Sequence, residues 1–108
     1  MEIKIRWSSK AKYQLRELFD YFQVNASSTL AESLITTILS RTRNLNSFPN
    51  MGKREELLLD HPKDIRYLVE GNYKILYWVS EDEIIIASVF DCRQNPEKIS
   101  DIIAKPSE

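Results

Sequence analysis

The chain has 108 residues, 43% of them hydrophobic and 29% charged, which suffices for one core but not two, so a single domain over residues 1–108 is expected. Fifteen basic residues oppose sixteen acidic ones, a balance that argues against a strongly basic nucleic-acid binder. Cys92 is the sole cysteine, which excludes an internal disulfide or a thiolate metal cage and points to a reducing cytoplasm, and no apolar run approaches the roughly 18 residues of a membrane span.

The first residues, Met1 to Ile5, lack the apolar stretch of a secretory leader, so none is expected. Glu2 to Trp7 alternates polar and apolar residues (Ile3, Ile5, Trp7), the pattern of a strand with one buried face. Ser8 and Ser9 can cap a following helix whose stripe is Ala11, Leu15, Leu18, Phe19 and Phe22. Asn25-Ala26-Ser27 breaks it. A second helix is predicted from Thr29, with Glu32 completing a capping box and Leu30, Leu34, Ile35, Ile38, Thr42 and Leu45 as its stripe. A connection of about five residues makes the pair a hairpin. Phe48-Pro49-Asn50-Met51-Gly52 stops the second helix, because proline cannot continue it and glycine can turn the chain.

Leu57-Leu58-Leu59 reads either as a brief strand or as a packed loop, and His61-Pro62 as a break. Ile65 to Glu70 is a strand with Ile65, Tyr67 and Val69 on one face and Arg66, Leu68 and Glu70 on the other. Gly71-Asn72 is a tight hairpin turn. Tyr73 to Ser80 follows, with Tyr73, Ile75, Tyr77 and Val79 on one face and Lys74, Leu76 and Trp78 on the other. Glu83 to Asp91 is almost wholly apolar, as a strand buried on both faces must be. Asn95-Pro96 opens a short last helix through Ala104. The expected fold is α+β: a small antiparallel sheet in the order β-α-α-β-β-β, with a helical hairpin on one face and a short C-terminal helix. Leu68, Leu76 and Trp78 are then candidates for a partner-binding surface on the other face, to be covered by another chain or by this chain's own tail.

Charge is unevenly spread. Residues 1–54 hold nine of the basic residues and four of the acidic ones, and the second half reverses this. A local basic surface is compatible with the neutral total, and so are two solvated helix faces.

The ordered set of Ala11 and Leu15, Phe48-Pro49-x-x-Gly52, Arg66-x-Leu68-Val69, Asn72-Tyr73-x-Ile75-x-Tyr77 and Arg93-Gln94-Asn95-Pro96 resembles the RelE/ParE superfamily of bacterial toxins, the toxin halves of type II toxin–antitoxin modules, also described as plasmid stabilisation proteins. The resemblance runs from Ile3 to about Ile99. It implies a toxin that arrests growth, neutralised by a cognate antitoxin that lays a helical or extended segment along it. Two activities occur in the superfamily. ParE-like members inhibit DNA gyrase, and RelE-like members cut messenger RNA on the ribosome.

Metal-free RNA cleavage needs a base for the ribose 2′-hydroxyl, a cation at the phosphate and an acid for the leaving oxygen. By resemblance Arg66 matches the nuclease arginine at the scissile phosphate; it reads equally as a surface residue paired with Asp64 or Glu70. Arg93 stands where the nucleases place arginine, histidine or tyrosine, or else makes a cap or salt bridge at a strand end, and Asp91 beside it is an awkward neighbour for a phosphate site. Glu55, in a Gly52-Lys53-Arg54-Glu55 stretch resembling one nuclease branch, is the candidate base. Lys53, Arg54 and Lys74 are candidate phosphate or RNA ligands, or solvated side chains. No aromatic residue follows Phe90, so the C-terminal catalytic tyrosine or histidine of the nucleases has no counterpart. That departure and the acidic balance favour gyrase inhibition over ribosome-dependent cleavage, with a non-toxic antitoxin-binding protein as a further alternative. The resemblance implies no cofactor, and the lone His61 gives no basis for a metal site.

Overall fold

The computed structural model describes residues 3–95, 98 and 99. Its elements are β1 (Lys4–Trp7), α1 (Ser9–Asn25), α2 (Ser28–Arg43), β2 (Lys53–Arg54), β3 (Arg66–Glu70), β4 (Tyr73–Ser80) and β5 (Glu83–Asp91). Short 3-10 turns lie at Asn44–Asn46 and Glu56–Leu58. The strands form one sheet in the order β1-β5-β4-β3-β2. The expected α+β layout, two helices on one sheet, is present. From β2 to β5 each strand runs antiparallel to its neighbour, whereas β1 pairs in parallel with β5. The sheet is therefore mixed, and Ile3, Ile5 and Trp7 pack beneath the helices from its edge.

β1 ends at Trp7, and α1 takes over its hydrogen bonding. Ser8 donates its N–H to Ile86 O at 2.9 Å and its hydroxyl to Ala87 O at 3.0 Å, while Ser8 Oγ accepts from Ala11 N as the helix cap. Gln14 Oε1 accepts from Val89 N at 2.8 Å and from Ser88 Oγ at 3.2 Å. These bonds satisfy backbone groups of β5 that an edge would otherwise expose.

The second helix is capped by Ser27, not Thr29: Ser27 Oγ accepts from Leu30 N at 3.1 Å. The connection therefore shrinks to Ala26 and Ser27, because the first extended serine with a reachable N–H begins the next helix. The expected stripe keeps its face from Leu34 onward, with Leu34 and Ile35 partly buried and Leu45 fully buried. Ala31, Ile38 and Thr42 are buried and Leu30 is exposed.

Gly71, with φ of 58°, and Asn72 form a two-residue turn that pairs Glu70 with Tyr73. Glycine at the first central position is what a II′ hairpin turn requires. That turn also fixes which residues share a face. Leu68 lies opposite Ile75, so it belongs to the helix-side core with Ala11, Ile38, Leu45, Tyr77 and Ile86. The expectation that Leu68 shares a face with Leu76 and Trp78 is thereby corrected, since directly opposed residues point the same way. Leu76 is fully buried on the other face with Leu58, Ile65, Ala87, Phe90 and Ile99, and Tyr67 and Trp78 pack at the margin of this second cluster. The chain's own 3-10 turn and Ile99 thus cover much of the face expected to be open. Of the last helix, Pro96, Glu97 and residues 100–104 lie outside the described residues.

β5 is buried from Ile84 through Phe90, as its composition requires. A bulge in β5 opposite Leu76 and Tyr77 shifts its register, so that Tyr77 pairs with Ile86 and Leu76 with Ser88. The shift changes which alternate residues face the helices, from Ile84 and Ile86 to Val89 and Asp91.

Candidate functional site

The charged residues singled out in the sequence fall into three separate groups. The first lies where β3 begins. Arg66 Nε donates to Asp64 Oδ2 at 3.0 Å, and its Nη1 donates to Gly52 O at 2.9 Å and Asn50 O at 3.3 Å. Arg54 Nε donates to the other oxygen, Asp64 Oδ1, at 3.0 Å. One carboxylate is thus held between two guanidinium groups, and Arg66 also fastens the loop before β2. Lys53 precedes Arg54 on β2 but lies opposite Tyr67, on the other face, and is exposed.

The second group lies on the opposite face of the sheet. Lys74 pairs across the ladder with Val69 and Phe90, and its Nζ donates to Glu55 Oε1 at 2.8 Å. It also sits 4.2 Å from the centre of the Tyr67 ring, in a cation–π contact. Glu55 is only 3% exposed, and its carboxylate caps the Glu56–Leu58 turn through Leu57 N. His61, also buried, accepts Lys63 N at Nδ1.

The third group follows β5. Arg93 Nε and Nη2 donate to Asp91 Oδ1 and Oδ2 at 2.9 and 2.7 Å, and Arg93 N also bonds Oδ1. The Arg93 hydrogen bond holds the Asp91 carboxyl below its ordinary value, and the carboxylate in turn raises the guanidinium. Tyr73, pushed upward by burial, joins them in an open groove with Gln14, Leu18 and Tyr21.

The three groups do not converge. Arg66 pairs with Tyr77 and Asp91 with Tyr73, four positions apart on β4, or about 13 Å along a strand. Glu55 and Lys74 occupy the other face. Among the described residues no group of histidine, cysteine, aspartate and glutamate is placed to hold a metal ion, and no helix is long and apolar enough to cross a membrane.

Tyr77 is a participant that spacing does not reveal. Its ring is fully buried, and its hydroxyl accepts from Gly52 N at 2.9 Å and donates to Pro49 O at 2.8 Å. Burial raises its proton affinity. Its loop partners lie 25 and 28 positions away in sequence, so no local motif carries the relation. Gly52 is equally constrained, since a Cβ there would stand 2.7 Å from both Tyr67 O and the Tyr77 hydroxyl. Apolar side chains remain exposed on the helices (Tyr13, Tyr21, Val24 and Leu30), on the loop before β2 (Phe48 and Met51), around the Glu56–Leu58 turn (Leu57 and Leu59) and on the strands (Val69 and Val79). Trp78 is half-buried.

No curated protein matches the sequence. Among solved structures, the fold is similar to one described as the chromosomal ParDE TA system from P. aeruginosa, with a TM-score of 0.68, 20% identity, and coverage of 82% of this chain and 94% of that one. The family model described as the ParE toxin of the type II toxin–antitoxin system parDE matches residues 5–96. With nearly the whole described fold inside that match, the chain belongs to the ParE toxin family of type II toxin–antitoxin systems.

Proposed function

We propose that this toxin arrests growth by binding and inhibiting a protein target, DNA gyrase, and that a cognate antitoxin neutralises it. The observation that carries the reading is the engagement and separation of the candidate catalytic groups. Arg66 is held by Asp64 and two carbonyls, Glu55 by Lys74 on the other face, and Arg93 by Asp91 beyond β5. Cleavage at a ribose 2′-hydroxyl requires a base, an acid and a cation gathered about one phosphate, and this distribution favours an inhibitor instead. The apolar residues on the outer helices, together with Trp78, support a docking surface for the antitoxin, the kind of partner present in the ParDE system that the fold resembles.

The test is induction of the chain with and without its antitoxin, followed by supercoiling assays on purified gyrase and primer extension on cellular messages. Growth arrest relieved by the antitoxin, with supercoiling inhibited, is the expected outcome. In-frame message cuts that disappear in Arg66→Ala would overturn it in favour of a ribosome-dependent nuclease. Unimpaired growth would leave only antitoxin binding.

A further inference from the structure

The loop between α2 and β2 is held in place to an unusual degree for an exposed segment. Met51 N bonds Phe48 O at 3.1 Å, closing a four-residue turn with Pro49 at its second position, where proline's fixed φ fits. Phe48 N bonds Asn44 O at 3.0 Å. From beneath, the Tyr77 hydroxyl bridges Pro49 O and Gly52 N, and the Arg66 guanidinium bonds Asn50 O and Gly52 O. The backbone of the turn is thus fastened by a fully buried tyrosine and a partly buried arginine. Its two flanking apolar side chains, by contrast, point outward. Phe48 is 66% exposed and Met51 43%, and together with Pro49 they line a shallow apolar hollow.

Such a combination suits binding. A backbone already ordered loses little further freedom on association, and an exposed aromatic side chain beside a flexible thioether makes an adaptable anchor. The charge around the turn selects the partner. Residues 33–54 contain Arg41, Arg43, Lys53 and Arg54 and no acidic residue; Arg41 and Arg54 are paired with Glu70 and Asp64, which leaves Arg43 and Lys53, both exposed, as the cations that flank the turn in sequence. We infer that the Phe48–Met51 turn is the target-contacting prong of the toxin, inserting Phe48 and Met51 into an apolar pocket rimmed by acidic groups on a protein. The aliphatic Met51 and Pro49 favour a protein pocket over stacked bases.

This inference rests on the reading that the chain acts by holding a protein. The Phe48→Ser/Met51→Ser variant, assayed beside wild type for inhibition of gyrase supercoiling, tests it, with thermal melting as the measure of folding. Both side chains are exposed, so the melting temperature should hold while the half-inhibitory concentration rises about 30-fold, the effect of removing a strong anchor. If the double serine variant melts early, Arg43→Glu/Lys53→Glu carries the same test through the charge rim, with the same rise expected. A folded variant as potent as wild type overturns the prong and leaves the proposed function standing. Wild type that does not inhibit gyrase overturns both. In a parallel arm, single-stranded RNA bound by wild type and released by the serine variant, read by fluorescence anisotropy, overturns a protein as the partner.

Discussion

At the scale of single residues, Tyr77 and Gly52 depend closely on one another. Tyr77→Phe keeps the ring in the core but leaves Gly52 N–H and Pro49 O without their partner. Leaving buried polar groups unsatisfied costs about 1–3 kcal/mol, measurable as a lower urea midpoint. The variant should also change the alkaline response. Tyr73 and Tyr77 hold their protons above the ordinary value of 10.0, so the unfolded chain loses protons first. Their contribution to stability is therefore complete below pH 10 and declines as pH rises through their folded values. Denaturation series at about pH 9 and about pH 11 should show a shallower decline for Tyr77→Phe than for wild type. Asp91 behaves in the opposite sense. Arg93 holds it below 3.8, so its contribution is present above that value and fades as pH falls. Arg93→Ala should move the Asp91 carboxyl titration, followed by carbon NMR, back up toward the ordinary value. Gly52→Ala places a methyl against the backbone oxygen Tyr67 O, which cannot rotate away. A loss of roughly 1–3 kcal/mol in chemical denaturation is expected, as for other overpacked sites.

Between elements, the Glu56–Leu58 turn is tied to β4 by an ion pair, Glu55 with Lys74, beside the apolar cluster that Leu58 and Leu76 share. Glu55 is buried, while the Lys74 side chain retains 23% exposure. Lys74→Met leaves the carboxylate buried without its cation. The expected loss is about 3 kcal/mol, the lower end for a broken buried pair because water still reaches the lysine. Equilibrium unfolding of the variant checks it. The same region shows where sequence reading stops. Strand alternation, the Gly71-Asn72 turn and the almost wholly apolar run of Glu83 to Asp91 place β3, β4 and β5 correctly, because each is a local pattern. The cap of α2 is Ser27 and not Thr29 because several hydroxyl residues in succession compete for one role. Leu68 faces the helices with Ile75 and not outward with Leu76, because the turn phase, not the strand's own alternation, decides which side of the neighbour it matches. The ion pair partners of Arg66 and Arg93 lie two residues away and were legible; that of Glu55 lies 19 residues away across the sheet and was not.

For the molecule as a whole, the sheet separates two apolar clusters, with Trp7 beside one and Trp78 beside the other. Both clusters share β4 and β5, so neither can dissolve while the other keeps its strands. Single-tryptophan variants, Trp7→Phe and Trp78→Phe, should give urea transitions by fluorescence that coincide with each other and with far-ultraviolet dichroism. Separate midpoints would mean that the two layers unfold independently.

One small contact has a larger meaning at this scale. A ribbon greasy on both sides, like β5, can slide one position along its neighbour and still keep oil against oil, so solvation alone chooses its alignment poorly. Gln14, reaching from the first helix to Val89 and Ser88, breaks that degeneracy. It works like a pin in a sliding bolt: the late-made strand can seat at one notch only, and an early-made helix decides which.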